Sequence, residues 1–305
     1  MRVARVRRVR GRQRVKHWLP LTRLERPSVV RSTLSPQAGR GKKQWPGHCM
    51  GFWLGTARGG ECVNYNWNWG IFWDQTPDAT GTYFGSLMSG LQVTILLALC
   101  AWFIAFVMGS LIGIMRTLPA RWAVFVGNAY IEMFRNIPLL VQLFIWFFVV
   151  PELLPGDLGI WIKQLRNGPF IAAMLGLGFY MSSRVAAQIT AGINALPKGQ
   201  RMAGTAIGLT TWQTYRYILL PLAYRIIFPP LTSEFLNTIK NTAPALTIGV
   251  LELTARARSM QEFSFQVFEA FSAAAAIYLV LSAVVTIGMR ILEKRLAIPG
   301  FNEGK

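Results

Sequence analysis

The sequence predicts an all-α polytopic membrane protein with five transmembrane helices, and three observations predict it. The 305 residues are 52% apolar and only 15% charged, where a soluble domain carries about 25% charge. Long runs lack any Asp, Glu, Lys or Arg, the first covering the 37 residues 79–115. Crossing the ~30 Å hydrocarbon layer takes ~20 mainly apolar helical residues, because a helix satisfies its own backbone there.

The first span is placed at 87–115, inside that run. The second uncharged run, 136–151, is short and stops at Pro151-Glu152-Leu153-Leu154-Pro155, so its helix is drawn from 126 to 151. The third span, 168–190, continues past Arg184. The fourth, 226–250, is apolar but interrupted by Glu234 and Lys240, and the fifth, 270–290, is clean. Five spans put the two ends on opposite sides of the membrane. If span one runs outside to inside, the inner loops hold ten cations: Arg116, Arg121, Lys198, Arg201, Arg216, Arg225, Arg290, Lys294, Arg295 and Lys305. The outer loops then hold four, Lys163, Arg166, Arg256 and Arg258. The excess of Lys and Arg on the inside orients the C-terminus towards the cytoplasm.

The net charge of +19 is concentrated at the start. Residues 1–58 hold 15 Lys/Arg against one acid, Glu25, for +14, while residues 59–305 hold 17 against 12, for +5. Such a basic segment directly before span one would keep that end inside. It also lacks the apolar stretch of a signal peptide, and its composition cannot form a core. Residues 1–60 are therefore read as a basic extension, disordered or translated from a mis-called start, with Met50 as the expected true start. The other reading is a cytoplasmic tail that binds anionic lipid or nucleic acid. Residues 61–305 form the membrane domain, for which no nucleic-acid partner is expected.

Composition excludes several chemistries. The two histidines, His17 and His48, both precede the membrane domain, which excludes Ser–His or Cys–His catalysis and a His-ligated metal within it. Cys49, Cys62 and Cys100 have no ligand spacing. No phosphate-binding G-x-x-x-x-G-K-[ST] loop occurs. The chain is expected to be neither an enzyme nor a holder of a metal or cofactor.

The longest polar interruption, 194–225, lies on the cytoplasmic side. Pro197 suits the start of a short helix over 198–207 that stops at Gly208. Thr210-Thr211-Trp212-Gln213 is a capping box for a second helix, which Pro221 is expected to end or kink before Pro229-Pro230 opens span four. Ala203, Gly204, Ala206 and Gly208 leave the first helix nearly without bulk, so another protein's backbone can approach it closely.

The string Met202-Ala203-Gly204-Thr205-Ala206-Ile207-Gly208, followed after nine residues by Ile218-Leu219-Leu220-Pro221, resembles the E-A-A-x-x-x-G-(nine)-I-x-L-P signature of ABC importer permeases. Ala203, Gly208, Ile218, Leu220 and Pro221 match; Met202 stands for the signature Glu and Gly204 for its second Ala. Residues 66–72 (NWNWGIF), 132–142 (EMFRNIPLLVQ) and 229–237 (PPLTSEFLN) are similar to the polar amino-acid uptake branch, the histidine/glutamine type, and above all to glutamate/aspartate importer membrane subunits. The resemblance covers roughly 64–300.

It implies a subunit in a bacterial inner membrane, paired with a second permease subunit as a homo- or heterodimer. It implies a periplasmic solute-binding protein, an amino-acid substrate and two cytoplasmic ATPase subunits, which would hold the ATP and Mg. The surface helix would be the coupling helix between spans three and four, carrying Met202, Ala203, Gly204 and Gly208, with Ile218, Leu220 and Pro221 behind it. It would act as a lever that rocks spans four and five.

Within the spans, Glu234, Asn237 and Asn241 share one helix face at i, i+3, i+7 spacing, with Lys240 beside them. A mid-membrane charge costs at least ~2.5–3.5 kcal/mol on insertion scales, so these residues face a partner or a watery path. They form either a polar wall of the substrate path or a structural network, with Glu234 or Lys240 snorkelling from a helix end. Arg184 suits a substrate carboxylate, and equally pairs with Glu234 or caps backbone carbonyls. Glu132 and Arg135, at i, i+3, are expected to form a structural pair or a gate. Gly109-x-x-x-Gly113 allows close helix packing, and Trp67, Trp69 and Trp73 fit an outer interfacial belt. The alternative function is a proton-coupled secondary amino-acid transporter using Glu234 and Lys240. The surface helix and the lack of an evident inverted repeat weigh against it.

Overall fold

The computed structural model describes residues 65–77 and 81–296. The basic extension 1–60 and the expected start at Met50 lie outside the described residues, as does the C-terminal Lys305. Among the described residues the chain is helical, with an isolated bridge between Gln75 and Thr82 as the extended pairing.

A 3₁₀ turn, Trp69–Trp73, leads into α1, Tyr83–Met115. The N-terminus of α1 is capped by the Thr82 hydroxyl, which accepts from the Gly85 N–H at 3.2 Å. This helix is apolar all round. Leu97, Ala101 and Ala105 face inward, and Leu99, Phe103 and Leu111 face out, as a membrane helix requires. α1 packs along α6, Gly168–Asn194. The contact needs glycine: a Cβ at Gly109 would lie 2.7 Å from Val185, one at Gly113 2.8 Å from Ile189, and one at Gly178 2.9 Å from Ile104. Lipid offers no hydrophobic drive for two helices to meet, so close backbone approach supplies the attraction.

Three helices among the described residues are long and apolar enough to cross a membrane: α1, α6 and the last helix, Val267–Leu296. The second and fourth expected spans are built differently. The segment expected as span two is a broken pair, Arg121–Asn136 (α2) and Leu139–Leu153, bent by 100°. Pro138 causes the break by excluding its predecessor from the helical region, and Ile137 is extended at φ −89, ψ 124. The Gln142 amide repairs the gap, its Nε2 donating to the carbonyls of Phe134 at 2.7 Å and Ile137 at 3.0 Å. Beyond the bend come α3 (Leu139–Phe144), a π turn (Ile145–Val149), α4 (Val150–Leu153) and α5 (Gly156–Gln164).

After α7 (Lys198–Ala206) and α8 (Thr211–Thr214), a π turn at Tyr215–Leu219 runs directly into α9, Leu220–Lys240. Pro221 therefore does not end the helix, and Pro229-Pro230 sit inside α9 rather than opening it. Both π turns stand immediately before an X-Pro pair, Val150-Pro151 and Leu220-Pro221. A wider turn removes the need for the missing proline N–H and relieves the clash of its ring with the preceding carbonyl.

α9, where span four is expected, is not among the helices long and apolar enough to cross, and it stops ten residues short of the expected 250. Thr242 Oγ1 donates to the Ile239 carbonyl at 2.8 Å, offering it a partner outside the helical ladder. A 3₁₀ segment, Ala243–Ile248, follows and closes at Gly249 with φ +88, a conformation that glycine adopts without strain. α9 carries Arg225, Glu234 and Lys240, and of these Glu234 is buried.

α10, Leu253–Ser264, is capped by buried Glu252, which accepts from the N–H groups of Thr254 and Ala255 and from the Tyr278 hydroxyl at 2.9 Å. Burial pushes the Glu252 carboxyl above the usual carboxylate range. α11, Val267–Leu296, begins beside the 65–73 segment, where buried Glu269 accepts from the Asn68 N–H at 2.8 Å and from the Tyr65 hydroxyl. That anchor leaves Trp67 and Trp69 stacked on each other and exposed.

Candidate functional site: a charged pair between α6 and α9

The bundle brings Arg184 of α6 and Glu234 of α9 together. Arg184 Nε donates to Glu234 Oε2 at 2.6 Å, and Nη2 reaches Oε1 at 3.3 Å, so the guanidinium fork meets both carboxylate oxygens. The arrangement is lopsided, because the Glu234 side chain is 8% exposed and that of Arg184 38%. The arginine therefore keeps donor capacity on its open side while the carboxylate is fully engaged.

Asn237 and Asn241 continue the same face of α9, both half-buried, and Asn241 is its cap. Asn241 Nδ2 lies 3.8 Å from the Met181 sulfur, a weak contact. Lys240 is exposed at the helix end. On another face of α6, the Ser182 hydroxyl and the Tyr130 hydroxyl of α2 are 2.6 Å apart. Arg184, Glu234, Asn237 and Asn241 form a polar seam between α6 and α9. Glu132 and Arg135 do not form the expected pair. Both are exposed on α2, and the structure records no ion pair between them; neither reaches the seam.

The surface helix α7 exposes Met202, Ala203, Ala206 and Ile207. Gly208 follows at φ +81 and bends the chain away. Gly204, by contrast, is buried: a Cβ there would lie 2.9 Å from Thr214 Cγ2 and 3.2 Å from Ile218 Cδ1. Its smallness is used inside the chain, to seat α7 on the next helix, and not to admit an outside backbone. The capping box at Thr210 is present, with the Gln213 side chain accepting from the Thr210 N–H at 2.8 Å. Ile218 is half-buried under α7, Leu220 is half-buried and Pro221 is exposed.

Two residues at this surface carry no signature in the sequence. Arg201 of α7 donates to the Thr117 carbonyl at 3.0 Å and to the phenolic oxygen of Tyr215, whose hydroxyl donates to the same carbonyl at 2.6 Å. Tyr215 lies 98 residues from Thr117, so no local spacing announces the contact.

A helical bundle crossed by one buried charged pair, with a small-residue helix exposed at its surface, is the build of a membrane permease subunit. The chain belongs to the family of binding-protein-dependent transport system inner membrane components, whose pattern matches residues 105–298. It is 45% identical over 246 residues to the glutamate/aspartate import permease protein GltJ of Escherichia coli (strain K12), covering 80% of this chain and all of that one. It is 35% identical over 216 residues to a probable glutamine ABC transporter permease protein, GlnM, of Bacillus subtilis (strain 168), covering 70% and 94%. Among solved structures, an amino acid ABC transporter with histidines aligns at TM-score 0.60 and 31% identity, covering 70% of this chain and 95% of that one. The MetNI methionine ABC transporter, at 17% identity and TM-score 0.57, shares the fold. These relatives are transporter permeases rather than enzymes.

Proposed function

We propose that this chain is the membrane-spanning permease subunit of an ATP-binding-cassette importer that moves polar, acidic amino acids, glutamate and aspartate, into the cytoplasm. The observation that carries this reading is the 45% identity along the whole length of a glutamate/aspartate import permease. The subunit works beside a second permease subunit, receives substrate from a periplasmic binding protein and is driven by two cytoplasmic ATPase subunits that hold ATP and Mg. It spans the inner membrane five times, with α9 and the bent α2–α4 unit completing the set. The body's N-terminus is periplasmic and its C-terminus cytoplasmic, following the ten-to-four bias of basic residues.

α7 is the coupling helix in this reading. Its exposed Met202, Ala203 and Ala206 offer a low, uncharged ridge, and Gly208 turns the chain out of an ATPase groove. The seam of Arg184, Glu234, Asn237 and Asn241, with Lys240 at its rim, lines the substrate path. The open side of the Arg184 guanidinium is the feature suited to a substrate carboxylate.

The test is uptake of labelled glutamate into proteoliposomes holding the chain with its co-purified companions and binding protein. The reading requires uptake that depends on ATP and is competed by aspartate. Uptake driven by a proton gradient without ATP would reject it in favour of a secondary transporter.

A further inference from the structure

The surface helix α7 has two anchors, and they lead to different parts of the bundle. Gly204 seats it on Thr214 and Ile218, at the start of the helical run that passes through the π turn and α9 to Lys240. The second anchor is the closed set of bonds among Arg201, Tyr215 and Thr117. The Arg201 guanidinium also lies over the Tyr215 ring, 5.3 Å from its centroid, and Tyr215 is 1% exposed. Thr117 directly follows α1 and its Arg116 cap. Its carbonyl lies just past the end of the α1 ladder, where acceptors lack a helical partner and a cation is favoured by the helix dipole.

We infer that Arg201 and Tyr215 are positioning residues that carry a displacement of α7 to the cytoplasmic end of α1, so that span one moves together with span four. This rests on the reading of α7 as the helix that meets a companion ATPase. The consequence reaches the charged pair from both sides. α9 bears Glu234, while α1 is locked through Gly109 and Gly113 to one face of α6, whose opposite face carries Arg184. A push on α7 through the first anchor alone would shift Glu234 against a stationary Arg184. Through both anchors it shifts the two helices in concert. The clamp therefore sets how much substrate moves for each ATP consumed, and not whether the ATPase binds.

The experiment measures amino acid transported per ATP hydrolysed in proteoliposomes containing the whole complex and its binding protein. Tyr215→Phe, which keeps the ring and removes the hydroxyl, and Arg201→Ala each lower that ratio at least fivefold. The companion ATPase still co-purifies in the wild-type amount, and hydrolysis stays within twofold of wild type. Arg201→Lys, which keeps a cation and a donor, recovers at least half of the ratio. The double variant falls no more than twofold below either single one, because both changes open the same clamp. An unchanged ratio in Tyr215→Phe and Arg201→Ala overturns the inference. So does loss of the ATPase from either complex, since the residues would then only hold α7 in place. In both of these outcomes the wild-type complex still couples uptake to ATP. A wild-type complex that shows no ATP-driven uptake rejects the permease reading itself, and the clamp with it.

Discussion

At the scale of single residues, the Arg184–Glu234 pair is unequal, and the inequality predicts an unequal response to substitution. Removing the arginine strands a carboxylate that is 8% exposed, whereas removing the carboxylate frees an arginine that is 38% exposed and still reaches polar surroundings. Breaking a buried pair from one side costs about 3–5 kcal/mol. Arg184→Met is therefore expected to lose about 3 kcal/mol and Glu234→Gln clearly less, read as the ordering of thermal midpoints in detergent; equal losses would contradict the asymmetry. Glu252 gives a pH signature. Its carboxyl is held above the ordinary 4.5 by burial, so the folded state binds the proton more tightly than the unfolded chain. That contribution to stability is fully present below about 4.5 and is lost as pH rises through the raised value. In Glu252→Gln, which keeps a neutral acceptor for the α10 cap, the thermal midpoint should lose this slope. An identical pH profile for the two proteins would assign the slope to another group. The pair of Arg184 with Glu234 was legible in the sequence as one of three options, because charges within the apolar runs are few. The Arg201–Tyr215–Thr117 clamp was not, because a surface arginine and a tyrosine beside a distant carbonyl have no spacing to read.

At the scale of elements, runs without charge located α1, α6 and α11 well, because a single apolar stretch in each case forms a single helix. They failed where backbone chemistry, not hydropathy, sets the boundary. The bend at Ile137-Pro138 lies inside an apolar run, and its cause is steric. The end of α9 at Lys240 comes from Thr242 and the 3₁₀ segment after it, within residues as apolar as those of a span. Pro221 misled in the opposite direction, since a π turn absorbed it. The close α1–α6 contact predicts that Gly109→Leu or Gly113→Leu forces the helices apart, because side chains would enter space already held by Val185 and Ile189. The expected cost is about 1–3 kcal/mol, seen as a lowered thermal midpoint; unchanged stability would mean the helices do not pack at this distance. For α7, Ala206→Trp tests the ridge better than any change at Gly208, whose φ of +81 makes every other residue strained. Ala206 is exposed, so the variant should fold and insert normally while ATP-driven uptake falls at least tenfold. Unimpaired uptake would remove α7 from the docking surface.

At the scale of the whole molecule, much of the apolar surface is turned outward. Leu279, Val280, Val284 and Ile287 of α11 are all exposed, as are the lipid-facing residues of α1. The Arg184–Glu234 pair joins α6 and α9 inside the bundle, while other ion pairs, Lys163–Glu152 and Arg258–Glu262, stand exposed. In the proposed reading the energy for transport comes from another subunit. The measurement that tests this most directly is affinity purification of the chain from gently solubilised membranes, followed by mass identification of what accompanies it. The account predicts recovery of an ATPase and a permease subunit, a second copy or a similar chain, with ATP hydrolysis in the purified material. A chain recovered alone, under conditions in which other transporters of this kind stay assembled, would contradict it.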